Sequence, residues 1–123
     1  MKIKNIYADF LKEVIFNAMK NNDGIVGYAL AKNYRLLNQE LIEYQDIKQK
    51  LFKKYGKDNE GTLIIEKDTK EYNEYLKEIS KFDEIEIDID FMKVNEEDFK
   101  NSKLTGEEMN ILMDYMLEMG DLW

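Results

Sequence analysis

Residues 83–98 read Asp83-Glu84-Ile85-Glu86-Ile87-Asp88-Ile89-Asp90-Phe91-Met92-Lys93-Val94-Asn95-Glu96-Glu97-Asp98, and this stretch decides between an all-helical chain and a mixed one. Ile85, Ile87, Ile89 and Phe91 alternate with Glu84, Glu86, Asp88 and Asp90. A period of two belongs to a half-buried strand, not to a helix. The strand is predicted from Glu84 to about Val94, with its carboxylates on the outer face. Eight acids against the single base Lys93 give the window a charge of −7, close to the −8 of the whole chain. One sign of charge is therefore concentrated on one strand and the polar turn after it.

Helical periodicity flanks the strand on both sides. From about Asn5 to Asn21, Ile6, Phe10, Leu11, Val14, Ile15 and Ala18 recur at helical spacing. Asn21-Asn22-Asp23-Gly24 stops that run with residues that tolerate the left-handed conformation. From about Ile25 to Tyr55, Leu30, Tyr34, Leu37, Leu41, Tyr44, Leu51 and Tyr55 follow one another in steps of four and three, with Lys48 the polar member. Read as one helix this is a seam of about four heptads, about 45 Å long and closed by Gly56. Gly27 near its start moves the beginning a few residues later. The seam either joins two chains or is the protein's own core, and the second is favoured because the short helices also carry apolar stripes.

Beyond Gly56, Lys57–Gly61 reads as a polar turn and Thr62–Glu66 as a short strand. Asp68 and Glu71 have capping-box spacing and open a helix to about Phe82, with Tyr72, Tyr75, Leu76, Ile79 and Phe82 inward. Thr105 and Glu108 form a second capping box, with Leu104 and Met109 at the staple positions. Met109, Leu112, Met113, Met116 and Leu117 face inward from that last helix, Gly120 ends it, and Asp121-Leu122-Trp123 forms a tail. The expected architecture is one α+β domain over residues 1–123. It has four helices, one long (about residues 25–55), and a small sheet of two, at most three, strands. Parallel and antiparallel pairing of the two strands are both open.

Composition removes much chemistry. The 123 residues contain no cysteine, histidine or proline, so disulfides, thiol nucleophiles, Cys/His zinc sites and imidazole catalysis are excluded. No glycine-rich phosphate loop is present. An apolar share of 44% with 36% charged residues fits a globular fold. No apolar run reaches the roughly 20 residues that span a bilayer, and the N-terminus lacks a signal core. The expectation is a cytoplasmic protein, not an enzyme, with no cofactor and no metal.

Charge is also divided along the chain: residues 1–57 carry +5 and residues 58–123 carry −13. Lys48, Lys50, Lys53, Lys54 and Lys57 are most simply the complement of the acidic half. With Arg35 the single arginine, sequence-specific nucleic-acid binding is not expected. On a strand, alternate carboxylates stand about 6.6–6.8 Å apart, too far to share a cation without a bend or added ligands. Such a row is either a solvated edge that discourages aggregation or a binding surface that resembles phosphates in pitch and sign. The tyrosines and methionines are read as core, and Trp123 either folds back or anchors a partner.

Three stretches resemble a family of short uncharacterised proteins from phages and prophages of low-GC Gram-positive bacteria. They are Met1-Lys2-Ile3-Lys4-Asn5, then Ala31–Leu37 leading through Glu43-Tyr44 to Lys54-Tyr55-Gly56, and finally Leu104–Met113. The resemblance implies a phage or prophage origin and supplies no activity or site residues. With the charge pattern it frames the expectation of a protein that binds, and inhibits, a host nucleic-acid-handling or defence protein with a basic surface. The partner-binding residues expected are Glu84, Glu86, Asp88, Asp90, Glu96, Glu97, Asp98 and Trp123. The alternative is an accessory or structural protein of tail or virion assembly that acts through the long helix; under either reading a monomer and a helix-mediated dimer are both open.

Overall fold

The computed structural model describes residues 1–118. The elements run β1 (Lys2–Lys4), α1 (Asn5–Met19), α2 (Gly24–Glu40), α3 (Ile42–Tyr55), β2 (Lys57–Asn59), β3 (Thr62–Ile64), α4 (Lys70–Asp83), β4 (Glu86–Asp88), α5 (Glu96–Lys100) and α6 (Gly106–Met116). The class is α+β. Six helices stand among the described residues where four were expected, and two separate two-stranded sheets replace the single one. Gly120 and Trp123 lie outside the described residues.

The expected long helix is two helices. At Leu41 the backbone turns to φ −95°, ψ 4°, out of the helical range. The hydrogen bonds nevertheless carry through, Leu41 N–H to the Leu37 carbonyl at 3.0 Å and Gln45 N–H to the Leu41 carbonyl at 2.9 Å. No proline or glycine stands at the bend. The break falls where the chain changes its packing partner, since α2 lies on α1 and α3 on α4. The seam itself is interior, with Leu30, Leu37, Leu41 and Tyr44 all buried.

Helix α1 buries Leu11, Ile15 and Ala18 of the expected stripe, with Val14 partly buried against the core, but the stripe is shifted toward small residues at its N-terminal half. Asn5, Ala8, Leu11, Ile15 and Ala18 are buried, whereas Ile6 and Phe10 are exposed. The small residues let α2 approach closely, and a reading weighted toward large side chains favours the wrong edge of the stripe. In the first turn of α2, Gly27 lies against the loop that leads into the helix, where a Cβ would be 2.7 Å from the Asn22 carbonyl oxygen. Leu76 and Met113 also point outward, against expectation.

The two predicted strands do not pair with each other. β3 pairs antiparallel with β2, and β4 pairs antiparallel with β1 in the register Lys2↔Asp88, Ile3↔Ile87, Lys4↔Glu86. β1 is too short to show a period, and β2 contains no apolar residue. Between β2 and β3, Glu60 (φ 54°) and Gly61 (φ 88°) are both left-handed, the signature of a two-residue type I′ hairpin loop. The strand expected from Glu84 to Val94 is regular only over Glu86–Asp88.

Caps set two helix starts and correct one. Thr105 and Glu108 form the expected capping box, with Glu108 N–H donating to Thr105 Oγ1 at 3.1 Å and Thr105 N–H to Glu108 Oε1 at 2.9 Å. For α4 the cap is Thr69, whose Oγ1 accepts from Tyr72 N–H at 3.1 Å; Asp68 lies before the helix at φ 64°. The polar turn after the acidic strand holds α5, capped by Asn95, whose Oδ1 accepts from Asp98 N–H at 2.8 Å. Glu96, Glu97 and Asp98 fill its first turn, where the helix dipole favours acids.

Residues 84–104 run as a strap along the α1–α2 hairpin, held by two asparagines of that hairpin, Asn33 and Asn22, while a third, Asn5, fastens the end of α4 that leads into it. Asn5 Nδ2 donates to the Phe82 carbonyl at 2.9 Å, just before the strap begins. In mid-helix, Asn33 is fully buried and pairs twice with Met92, its Nδ2 donating to the carbonyl (3.0 Å) and its Oδ1 accepting from the amide (2.8 Å). At the α1–α2 turn, Asn22 Oδ1 accepts from Lys103 N–H at 2.8 Å. Farther along, Val94 bridges to the end of α6 through its N–H to Met116 and its carbonyl from Glu118. Ile89, Phe91, Val94 and Phe99 of the strap are buried in the common core.

Candidate functional site

The outer face of the strap carries the expected carboxylates. Glu84, Glu86, Asp88 and Asp90 are exposed, as are Glu96 and Glu97, while Asp98 is half-buried. The alternation holds on the inner side for Ile89 and Phe91 and fails for Ile85, which is exposed. Trp123, the remaining candidate, is outside the described residues.

The first strand neutralises part of this ridge. Lys4 Nζ lies 2.6 Å from Glu84, and the α-amino group of Met1 lies 2.9 Å from Asp88 Oδ1. Lys2 and Lys4 stand across the sheet from Asp88 and Glu86. The ammonium of Met1 donates a hydrogen bond to Asp88 and holds its carboxyl below the usual range. Glu84 accepts from Lys4 and raises that lysine, and Lys100, 2.8 Å from Glu96, lowers Glu96 in the same way. Among the described residues, Glu86, Asp90, Glu97 and Asp98 make no ion pair. Three of the seven expected acids are therefore committed to ion pairs within the chain, and of the four without one, Glu86, Asp90 and Glu97 are exposed and Asp98 is half-buried.

Beside the strap lies a cleft of about 370 Å³, between the α2–α3 bend, the end of α4 and β4. Ile47, Phe82, Ile85 and Ile87 form apolar walls, and Glu40 and Glu43 are the charged lining residues. Tyr44 spans its base, donating from its hydroxyl to Asp83 Oδ1 at 2.5 Å. Burial, then the Asp83 carboxylate, pushes the Tyr44 phenol above its ordinary value, so it stays a neutral donor. Asn5 also lines the cleft. Its Nδ2 is engaged with Phe82, and its Oδ1, closed to solvent, has no hydrogen-bond partner. The volume falls within the ~300–1,000 Å³ of ordinary ligand clefts.

No group of three or more carboxylates is placed to hold a metal ion among the described residues. None of their helices is long and apolar enough to cross a membrane. No family model, curated protein or solved structure matches this chain.

The strap acids were visible in the sequence, and the cleft was not. Glu40 and Glu43, three residues apart, share one helix face whether or not the helix is broken, and what the sequence does not show is the apolar wall of Ile47, Phe82, Ile85 and Ile87 beside them. Asn33 left a usable sign: it stands between Leu30 and Leu37 on an apolar helix face, where a polar residue has to find a buried partner.

Proposed function

We propose that this protein is a non-catalytic binding protein that receives a basic surface of a host or phage protein on its acidic strap. The sharper form of the reading is inhibition of a nucleic-acid-handling or defence protein, whose lysines and arginines meet carboxylates where they would otherwise meet phosphates. The phage or prophage origin in this reading rests on the sequence resemblance. The observation that carries the binding role is the set Glu86, Asp90, Glu97 and Asp98, with no ion pair among the described residues, on a segment whose inner side is anchored in the core. The assembly alternative needed the long helix as an oligomer seam, and Leu30, Leu37, Leu41 and Tyr44 of that seam are buried within this chain.

The paired and unpaired acids separate binding from folding. Neutralising Glu86, Asp90 and Glu97 (to Gln, Asn and Gln) leaves every ion pair of the strap in place. Immobilised wild-type protein is expected to retain a nucleic-acid-binding protein from host lysate at low salt and to release it to competing DNA or RNA. The triple variant is expected to retain at least tenfold less, since steering by exposed charge is strong and screened by salt. Equal retention by both proteins, with equal salt tolerance, overturns the reading.

A further inference from the structure

We propose that the cleft between the α2–α3 bend and β4 is the seat of one arginine side chain of the partner. The inference rests on the basic-partner reading above and names the group that is recognised. The walls are apolar, from Ile47, Ile85 and Ile87, and the rim carries Glu40 and Glu43 with no lysine or arginine lining it. That combination fits an alkyl stem ending in a cation, because the stem covers apolar surface while the head meets carboxylates. The occupant's charge is opposite to the rim's, and two acids offer several acceptor oxygens. A guanidinium, with five N–H donors in a fixed fork, satisfies such a set better than the compact ammonium of lysine. The cleft borders β4, so an arginine seated here holds its neighbours against the strap, and anchor and ridge act on one partner surface.

The test needs no partner protein. N-acetyl-arginine amide, which has the side chain without free backbone charges, is titrated into isotopically labelled protein and followed by NMR. N-acetyl-norleucine amide supplies the stem without the cation. Saturable shifts are expected at Ile85, Ile87, Tyr44 and the Asn5 side-chain amide, with norleucine amide at least tenfold weaker. Glu40→Gln with Glu43→Gln is expected to weaken arginine amide at least tenfold, and Glu13→Gln with Asp114→Asn, exposed acids that do not line the cleft, to change it less than twofold. The glutamates are exposed, so their neutralisation leaves the fold intact. The norleucine comparison on wild-type protein decides the matter even if the variant behaves poorly. Shifts spread over the strap without saturation, or equal binding of the two amides, overturn the inference. A cleft that fails while the strap variants still lose the lysate partner refutes the arginine seat alone, and the reverse result refutes the strap reading alone.

Discussion

β1–β4 and β2–β3 are both antiparallel pairs of three-residue strands, yet they are held by different means. β2–β3 is local: a two-residue left-handed loop closes it, Asp58 Oδ1 accepts from Gly61 N–H at 2.9 Å, and nearly all its side chains are exposed. β1–β4 joins segments more than eighty residues apart in the chain. Ile3 is buried in the core, charges of opposite sign face each other across the strands, and the strap that follows is fastened to Asn33. The local pair is a product of turn chemistry and the distant pair a product of tertiary anchoring. Long-range closure costs chain entropy that only buried contacts and satisfied polar groups offset. Mutations should therefore act unequally on the two.

Breaking the anchor should have the largest effect. Asn33→Ala leaves the N–H and carbonyl of Met92 without their partner, at about 1–3 kcal/mol for each group that water cannot reach. Chemical denaturation is expected to show that loss, with weakened amide protection along residues 86–94 and an unchanged β2–β3 hairpin. If protection falls first in the hairpin, the strap is not what the asparagine holds. Next in size is Ile3→Ala, about 2–5 kcal/mol for a truncated core side chain. Its counterpart Leu63→Ala on the exposed hairpin should stay within about 0.5 kcal/mol. Equal costs for the two would erase the distinction between the sheets.

Gly61→Ala probes the local pair at its one demanding position. At φ 88° a side chain costs about 1–2 kcal/mol. The strain should be absorbed by fraying of β2–β3, read as lost cross-strand nuclear Overhauser effects between Asn59 and Thr62, with β1–β4 intact. The global unfolding midpoint is expected to move less than for either anchor variant.

The same contrast explains what could be read from sequence. The helical runs other than α5 followed from apolar spacing and the α6 start from the Thr105–Glu108 box, because both signals are local. Ile89 and Phe91 fell on the inner side because a two-residue period needs no knowledge of the partner strand. The partner itself was invisible: Lys2-Ile3-Lys4 is too short to carry a pattern, and its role depends on acids far along the chain. The break at Leu41 has no local cause in the sequence, and the cleft beside it is walled by Phe82, Ile85 and Ile87, whose placement against Ile47 depends on packing between distant segments. The acidic window was correctly seen as surface. Its charge was overstated as a free ridge, since Glu84, Asp88 and Glu96 are already paired.

That pairing leads to the smallest effect, confined to the distant sheet. Asp88 sits below the ordinary carboxylate range because the α-amino group of Met1 donates to it. The unfolded chain therefore binds this proton more readily than the folded one. The contribution is in place above the ordinary aspartate value and is lost as pH falls through the lower folded value. Lys4, raised by Glu84, has the opposite sign: its contribution is in place below the ordinary lysine value and disappears as pH rises through the raised one. β1–β4 should thus loosen in acid through Asp88 and in strong base through Lys4. The reporters are Ile89 N–H, bonded to the Met1 carbonyl at 2.9 Å, and Asn5 N–H, bonded to the Ile85 carbonyl at 2.9 Å. Their exchange protection, corrected for the intrinsic pH dependence, should fall in acid, and Asp88→Asn should abolish most of that fall at Ile89. High salt should blunt it in the wild type, because both ion pairs are exposed to solvent. A pH-independent protection at Ile89 would mean that Ile3, Ile87 and Asn33 hold this end of the strap without help from Asp88, leaving that carboxylate free for a partner.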